Sequence, residues 1–172
     1  PQRGTRQSVQ WEPCSAARGD TSVLLPTDGA ALPDGATKAM NAGIPVVNVD
    51  REFSSTFGAR TTVLGDNYGM GVSARTYIGT KLNGKKGAIV AEIAGIDSLP
   101  LTQARSKGFA SALSACGLKV NNRVAADFPV TGGQAATANL LQAAPQTSAN
   151  RNPAEDHGDA VPPATPAQTP HA

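Results

Sequence analysis

Ile44-Pro45-Val46-Val47-Asn48-Val49-Asp50-Arg51-Glu52 runs from β-branched apolar residues straight into three charged ones. Val and Ile lose rotamer freedom in a helix and pack well on a pleated surface, so Ile44 to Val49 is expected to form a strand. Asp50-Arg51-Glu52 then marks its passage into a loop. Just upstream, Pro33 to Ala42 reads as a helix, with proline in its first turn and Gly43 where a helix commonly turns left-handed. Helix, glycine, buried strand and polar loop follow one another without spare residues, as in an α/β layer.

The same alternation continues on both sides. Thr21 to Leu25 is a short apolar strand stopped by Pro26, and Thr61 to Leu64 is another that ends at Gly65-Asp66-Asn67. Tyr68 to Leu82 places Val72, Tyr77, Ile78 and Leu82 near helical spacing. Ala88 to Ile93 reads as a fourth strand, Leu101 to Ala115 as a helix, Lys119 to Asp127 as a fifth strand and Gly133 to Ala143 as a last helix. Strands alternating with helices at this spacing imply parallel sheets with flanking helices, the α/β class, joined by right-handed crossovers. In such sheets ligands sit beyond the carboxyl ends of the strands. Asp50-Arg51, Asp66-Asn67, Gly95-Ile96-Asp97-Ser98 and Asp127-Phe128 all follow strands. They are expected to gather on one sheet edge.

Composition narrows the partners. The chain has 172 residues, 40% hydrophobic and 16% charged, enough to bury a core. Its net charge of +2 is spread along the sequence, with no basic stripe for nucleic acid or an anionic membrane. No apolar run approaches the length that spans a bilayer, and the N-terminus has no apolar signal core. Any export signal is therefore expected to have been removed or to lie outside this sequence. Residues 1–20 are polar and broken by Pro13 and Gly19, and read as an irregular leader. Residues 147–172 contain no Leu, Ile, Phe, Tyr, Trp or Met and carry five prolines, so a disordered tail is expected there.

Catalytic and metal chemistries find little support. Cys14 and Cys116 are far apart and lack Cys-x-x-Cys spacing, so both are read as unpaired. His157 and His171 fall in the expected tail without zinc-ligand spacing, which leaves no metal site and no Ser-His-Asp arrangement. Asp50 and Asp127 could pair for glycoside hydrolysis, but Arg51 and Arg105 would keep such acids ionised. Asn83-Gly84-Lys85-Lys86-Gly87 lacks the Walker spacing and lies between a helix and a strand, the reverse of a phosphate cradle. No enzyme activity and no cofactor are expected. A carboxylate beside a guanidinium at a strand end suits a neutral polyhydroxylated ligand, because charge-assisted hydrogen bonds are the stronger class. Phe128 could add an aromatic face for a sugar ring.

Taken in order, Leu24-Leu25-Pro26-Thr27-Asp28-Gly29-Ala30, Ala42-Gly43-Ile44-Pro45-Val46-Val47-Asn48-Val49-Asp50-Arg51, Gly65-Asp66-Asn67, Ala104-Arg105-Ser106-Lys107-Gly108-Phe109 and Ala126-Asp127-Phe128 carry a resemblance. From about Thr21 to Pro145 the chain resembles sugar-binding proteins of ABC importers, of the ribose-binding, periplasmic-binding-protein type I kind. The resemblance implies two α/β lobes closing on a monosaccharide. It makes Asp50, Arg51, Arg105 and Phe128 ligand-binding residues and Asp66 and Asn67 the crossing between lobes. It also implies a membrane permease as partner, a periplasmic or exported cell-surface location, a monomer and no nucleic acid. A related alternative is the ligand-sensing domain of a lactose-repressor-type transcription regulator. The expected division is leader 1–20, partial first lobe 21–65, partial second lobe 66–146 and tail 147–172. Against the family pattern both ends depart abruptly, so a fold altered or truncated at each end through a change of reading frame, with marginal stability and weak or absent sugar affinity, is expected.

Overall fold

The computed structural model describes residues 6–11, 19–27, 29–30, 32–82, 85, 87–126 and 130–152. The chain divides into two compact units, Pro1–Asn67 with Leu99–Leu101, and Tyr68–Ser98 with Thr102–Ala172.

The first unit is built on a parallel sheet of β1 (Ser22–Leu24), β2 (Val46–Val49) and β3 (Thr61–Val63), in that order. Val46 lies beside Ser22, and Val49 beside Val63. Helix α1 (residues 6–11) precedes the sheet, and α2 (Pro33–Asn41) connects β1 to β2. Pro33 fits the first turn of α2, where its missing N–H has no intrahelical acceptor to lose. At the other end Gly43 adopts φ +84. Gly43 N–H donates to Met40 O at 3.1 Å and Ile44 N–H to Ala39 O at 3.0 Å, the paired bonds of a Schellman stop. The chain thereby turns directly into β2. Trp11, Leu24, Leu32, Ala36, Ala39, Ile44 and Val46 form the core of this unit. A Cβ on Gly35 would lie 2.8 Å from the Trp11 ring, so α2 offers the indole a flat seat there.

The second unit carries a parallel sheet in the order β5 (Val120–Ala125), β4 (Val90–Ala94), β6 (Ala149–Arg151). Its helices are α3 (Asn67–Leu82), α4 (Pro100–Ser114) and α5 (Val130–Ala143). Every residue of β4 is buried, as expected of a central strand covered on both faces. Val90 packs with Ile78, Phe109 and Leu113 from α3 and α4. Ala91 and Ile93, on the opposite face, pack with Leu140 of α5. Helices α3 and α4 meet through two glycines. A Cβ on Gly71 would fall 2.1 Å from Arg105 O, and one on Gly108 would fall 2.1 Å from Tyr68 O. Any larger residue at either position would force the helices apart.

The parallel α/β class holds, and each strand and helix expected from Thr21 to Ala143 is present within a few residues of its expected bounds. Three expectations need correction. The strand ends do not share one edge, because the strands form two separate sheets. Within the leader, residues 6–11 are helical: the indole N–H donates to Ser22 Oγ at 2.9 Å and Trp11 joins the core, which orders a stretch that looks polar in sequence. Ala149–Arg151 at the start of the expected tail is a strand paired with β4, with Arg151 buried against Glu92. Residues 153–172, with His157 and His171, lie outside the described residues, as do Cys14, Asn83, Gly84, Lys86, Asp127 and Phe128.

Candidate ligand-binding residues

Asp50 and Arg51 stand at the carboxyl end of β2, in the first unit. Asp50 takes φ +69, the left-handed region that Asp tolerates better than most residues. Its N–H donates to Val63 O at 2.9 Å, which fixes the sharp exit from the strand. The Arg51 guanidinium is held from behind: Nη1 donates to Thr27 O at 2.8 Å, and Nε lies 3.8 Å from Asp50 Oδ2. The Arg51 side chain is largely buried while that of Asp50 is 40% exposed, leaving the carboxylate available to hydroxyl donors.

The loop that supplies the Thr27 carbonyl is itself clamped. Gln7 Oε1 accepts from Thr27 N–H at 2.7 Å, and Gln7 Nε2 donates to Leu25 O at 2.7 Å. One amide of α1 thus closes the Leu25 carbonyl and the Thr27 N–H, in the manner of a β-bridge. Further along, Ser54 N–H donates to Gly29 O at 3.0 Å. A Cβ on Gly29 would sit 1.9 Å from Glu52 O, so only glycine allows these two loops to touch. Gln7 was not singled out from sequence, where a lone polar residue in a polar stretch gives no signal.

Asp66 is exposed, and Asn67 begins α3 with its Nδ2 donating back to Gly65 O at 3.1 Å. The first unit runs to Asn67 and the second starts at Tyr68.

Arg105 is a half-buried residue in the second turn of α4, in the second unit. Beside it lies a charge network that sequence reasoning missed. Arg123 of β5, Glu92 of β4 and Arg151 of β6 occupy one row across the sheet. Glu92 is buried and accepts from Ser106 Oγ at 2.6 Å and from Arg151 Nη1, with Arg123 Nε 3.4 Å away. Arg123 also forks onto Asp97, with Nη1 3.0 Å from Oδ2 and Nη2 on Oδ1. That hydrogen-bonded pairing holds the Asp97 carboxyl below its ordinary value of 3.8 and raises the Arg123 guanidinium. Burial lowers the Arg151 guanidinium, against the pull of Glu92; Arg105 and Arg123 add like-charge repulsion in the same downward direction. The network ties the end of β4 and the loop after it to both neighbouring strands. No group of three or more His, Cys, Asp or Glu suited to a metal ion occurs among the described residues.

The periplasmic binding protein domain matches residues 3–153. The chain belongs to that family. It is 35% identical over 130 residues to the ribose import binding protein of Bacillus subtilis, covering 76% of this chain and 41% of that protein. It is 34% identical over 132 residues to the ribose import binding protein of Escherichia coli, covering 75% and 43%. The chain therefore spans about two fifths of the length of these relatives. Among solved structures, a galactofuranose binding protein superposes with TM-score 0.82 at 21% identity, covering 91% of this chain and 55% of that one. A myo-inositol binding protein from Caulobacter superposes with TM-score 0.79 at 21% identity, covering 91% and 54%. These likenesses establish the periplasmic-binding-protein type I fold, present here in part.

Proposed function

We propose that the protein is the solute-binding component of a carbohydrate ABC importer, periplasmic or held at the cell surface, and that it takes a monosaccharide rather than transforming one. The observation that carries this reading is the similarity to two ribose import binding proteins. The Asp50-Arg51 pair supports it, set at a strand end with the guanidinium already fixed by a backbone carbonyl. In this reading Asp50 accepts from ring hydroxyls and Arg51 donates to ring or hydroxyl oxygens. Arg105 and Phe128 provide the second unit's share, as hydroxyl donor and stacking face. Asp66 and Asn67 form the passage between the lobes. A membrane permease is the protein partner, the working form is a monomer, and neither nucleic acid nor a cofactor takes part.

Titration calorimetry against D-ribose and a panel of other pentoses and hexoses tests the proposal. A saturable one-to-one signal with at least one sugar is expected, and Asp50→Ala and Arg105→Ala should each lose at least about 1.5 kcal/mol of binding free energy. Binding that is unchanged in both variants removes these residues from the site, and silence across the panel refutes sugar binding by this chain.

A further inference from the structure

The second unit contains a cavity of about 510 Å³ at the amino ends of its strands, far in the topology from the loop that follows β4. Arg75, Thr76, Gly79, Thr80 and Leu82 of α3 form one wall, Lys85 and Gly87 a second, and the turn from Cys116 to Leu118 a third. Among the described residues that line it, two are cations and none is acidic. Arg75 Nε is shut off from solvent, and no hydrogen-bond partner reaches it among the described residues. That nitrogen is covered by protein, so the donors Arg75 can offer to a ligand in the cavity are its terminal amino groups.

The two threonines do not fill that role. Thr76 Oγ1 donates to Val72 O at 3.3 Å and Thr80 Oγ1 to Thr76 O at 2.9 Å, so their hydrogens are committed to the helix backbone. The Cys116 thiol is exposed at the rim. What the cavity offers is a cation from each of two walls, left-handed glycines at Gly87 and Gly117 where the chain turns, and the apolar Leu82 and Leu118. Its size is that of a small-molecule pocket, larger than a bare oxyanion needs.

We propose that this cavity binds a small organic phosphate, a phosphate monoester whose dianion is held by Arg75 and Lys85 while its body lies against Leu82 and Leu118. A guanidinium takes phosphate oxygens through two parallel N–H bonds, and an ammonium adds a movable third donor. The site is independent of the sugar-binding reading and uses none of its residues.

Cys116 provides the readout. In a Cys14→Ser background the rate of alkylation of Cys116 by iodoacetamide, a neutral reagent, is measured against increasing glycerol 3-phosphate, inorganic phosphate, and sodium chloride of matched ionic strength. The expected result is saturable protection by glycerol 3-phosphate, with the half-protecting concentration raised about tenfold in Arg75→Gln. Lys85→Gln, at an exposed position, should weaken protection in the same direction and guards against misfolding of the Arg75 variant. Equal protection by inorganic phosphate would replace the monoester with the free anion and overturn the proposed ligand class. Equal protection by chloride, or unchanged protection in both variants, would overturn the site itself.

Discussion

Arg151 of β6 lies beside Glu92 of β4 in the parallel ladder, and their side chains form an ion pair with both partners almost completely buried. Arg151 also places its guanidinium carbon 5.7 Å from the centre of the Phe109 ring, so the charge is packed between a carboxylate and an aromatic face. A three-residue strand is thereby held by a contact that spans 59 positions of sequence.

Removing one member of that pair should be severe. Glu92→Ala leaves Arg151 buried without its counter-charge and is expected to cost about 3–5 kcal/mol in urea unfolding. Replacing both, as Glu92→Met with Arg151→Met, should recover most of the loss, because an apolar pair of similar volume avoids the desolvation penalty. A double variant no more stable than the single one would show that the loss comes from the Ser106 and Arg123 contacts of Glu92 and not from the Arg151 pair.

The Asp97–Arg123 fork sets an acid limb. Because the folded Asp97 carboxyl titrates below its ordinary 3.8, its contribution is complete above that pH and disappears as the pH falls through the lower folded value. Asp97 is half exposed, so water and salt screen the effect to a small size. Thermal melts of the Asp97→Asn variant should therefore fall less steeply than wild type as the pH drops below 3.8. Parallel acid limbs would contradict the assignment.

Asn48 is fully buried in β2, and neither its Oδ1 nor its Nδ2 has a hydrogen-bond partner among the described residues. Asn48→Val removes two stranded polar atoms and adds a strand-favouring side chain. It should stabilise the first unit by about 1–2 kcal/mol. Chemical denaturation checks this, and a loss of stability would mean that the amide is satisfied in solution.

Glycines in α3 and α4 should divide sharply. Gly108→Ala would drive a methyl into Tyr68 O and is expected to cost about 1–3 kcal/mol. At Gly79 an added Cβ meets nothing nearer than Arg75 Nε at 3.7 Å, so Gly79→Ala should gain about 0.5–1 kcal/mol through helix propensity alone. Equal melting temperatures for the two variants would argue against the close helix approach.

Much of the fold was legible because its signals are local. The β-branched run at Val46–Val49, Pro33 at the start of α2 and Gly43 at its end each specify their own conformation within a few residues. The misses share a different cause. Helix α1 depends on Trp11 reaching Ser22 and the core, and on Gln7 reaching Leu25 and Thr27, contacts that no local pattern encodes. Strand β6 has one small apolar residue and exists through its ladder with β4 and the Glu92 pair. Of the candidate residues, Asp50 and Arg51 were visible as an adjacent pair, whereas the Thr27 carbonyl that orients Arg51 is a backbone atom and leaves no mark in sequence. The Glu92, Arg123 and Arg151 row was hidden because each charge sits alone on its own strand.

The reciprocal glycine contacts also govern how the second unit can move. Arg105 O rests against Gly71, and Tyr68 O against Gly108, with no room for a side chain between them. The two helices are therefore coupled through backbone contact at two points. A displacement of the Arg105 backbone would press first on Gly71, one turn from Tyr68, where the second unit begins.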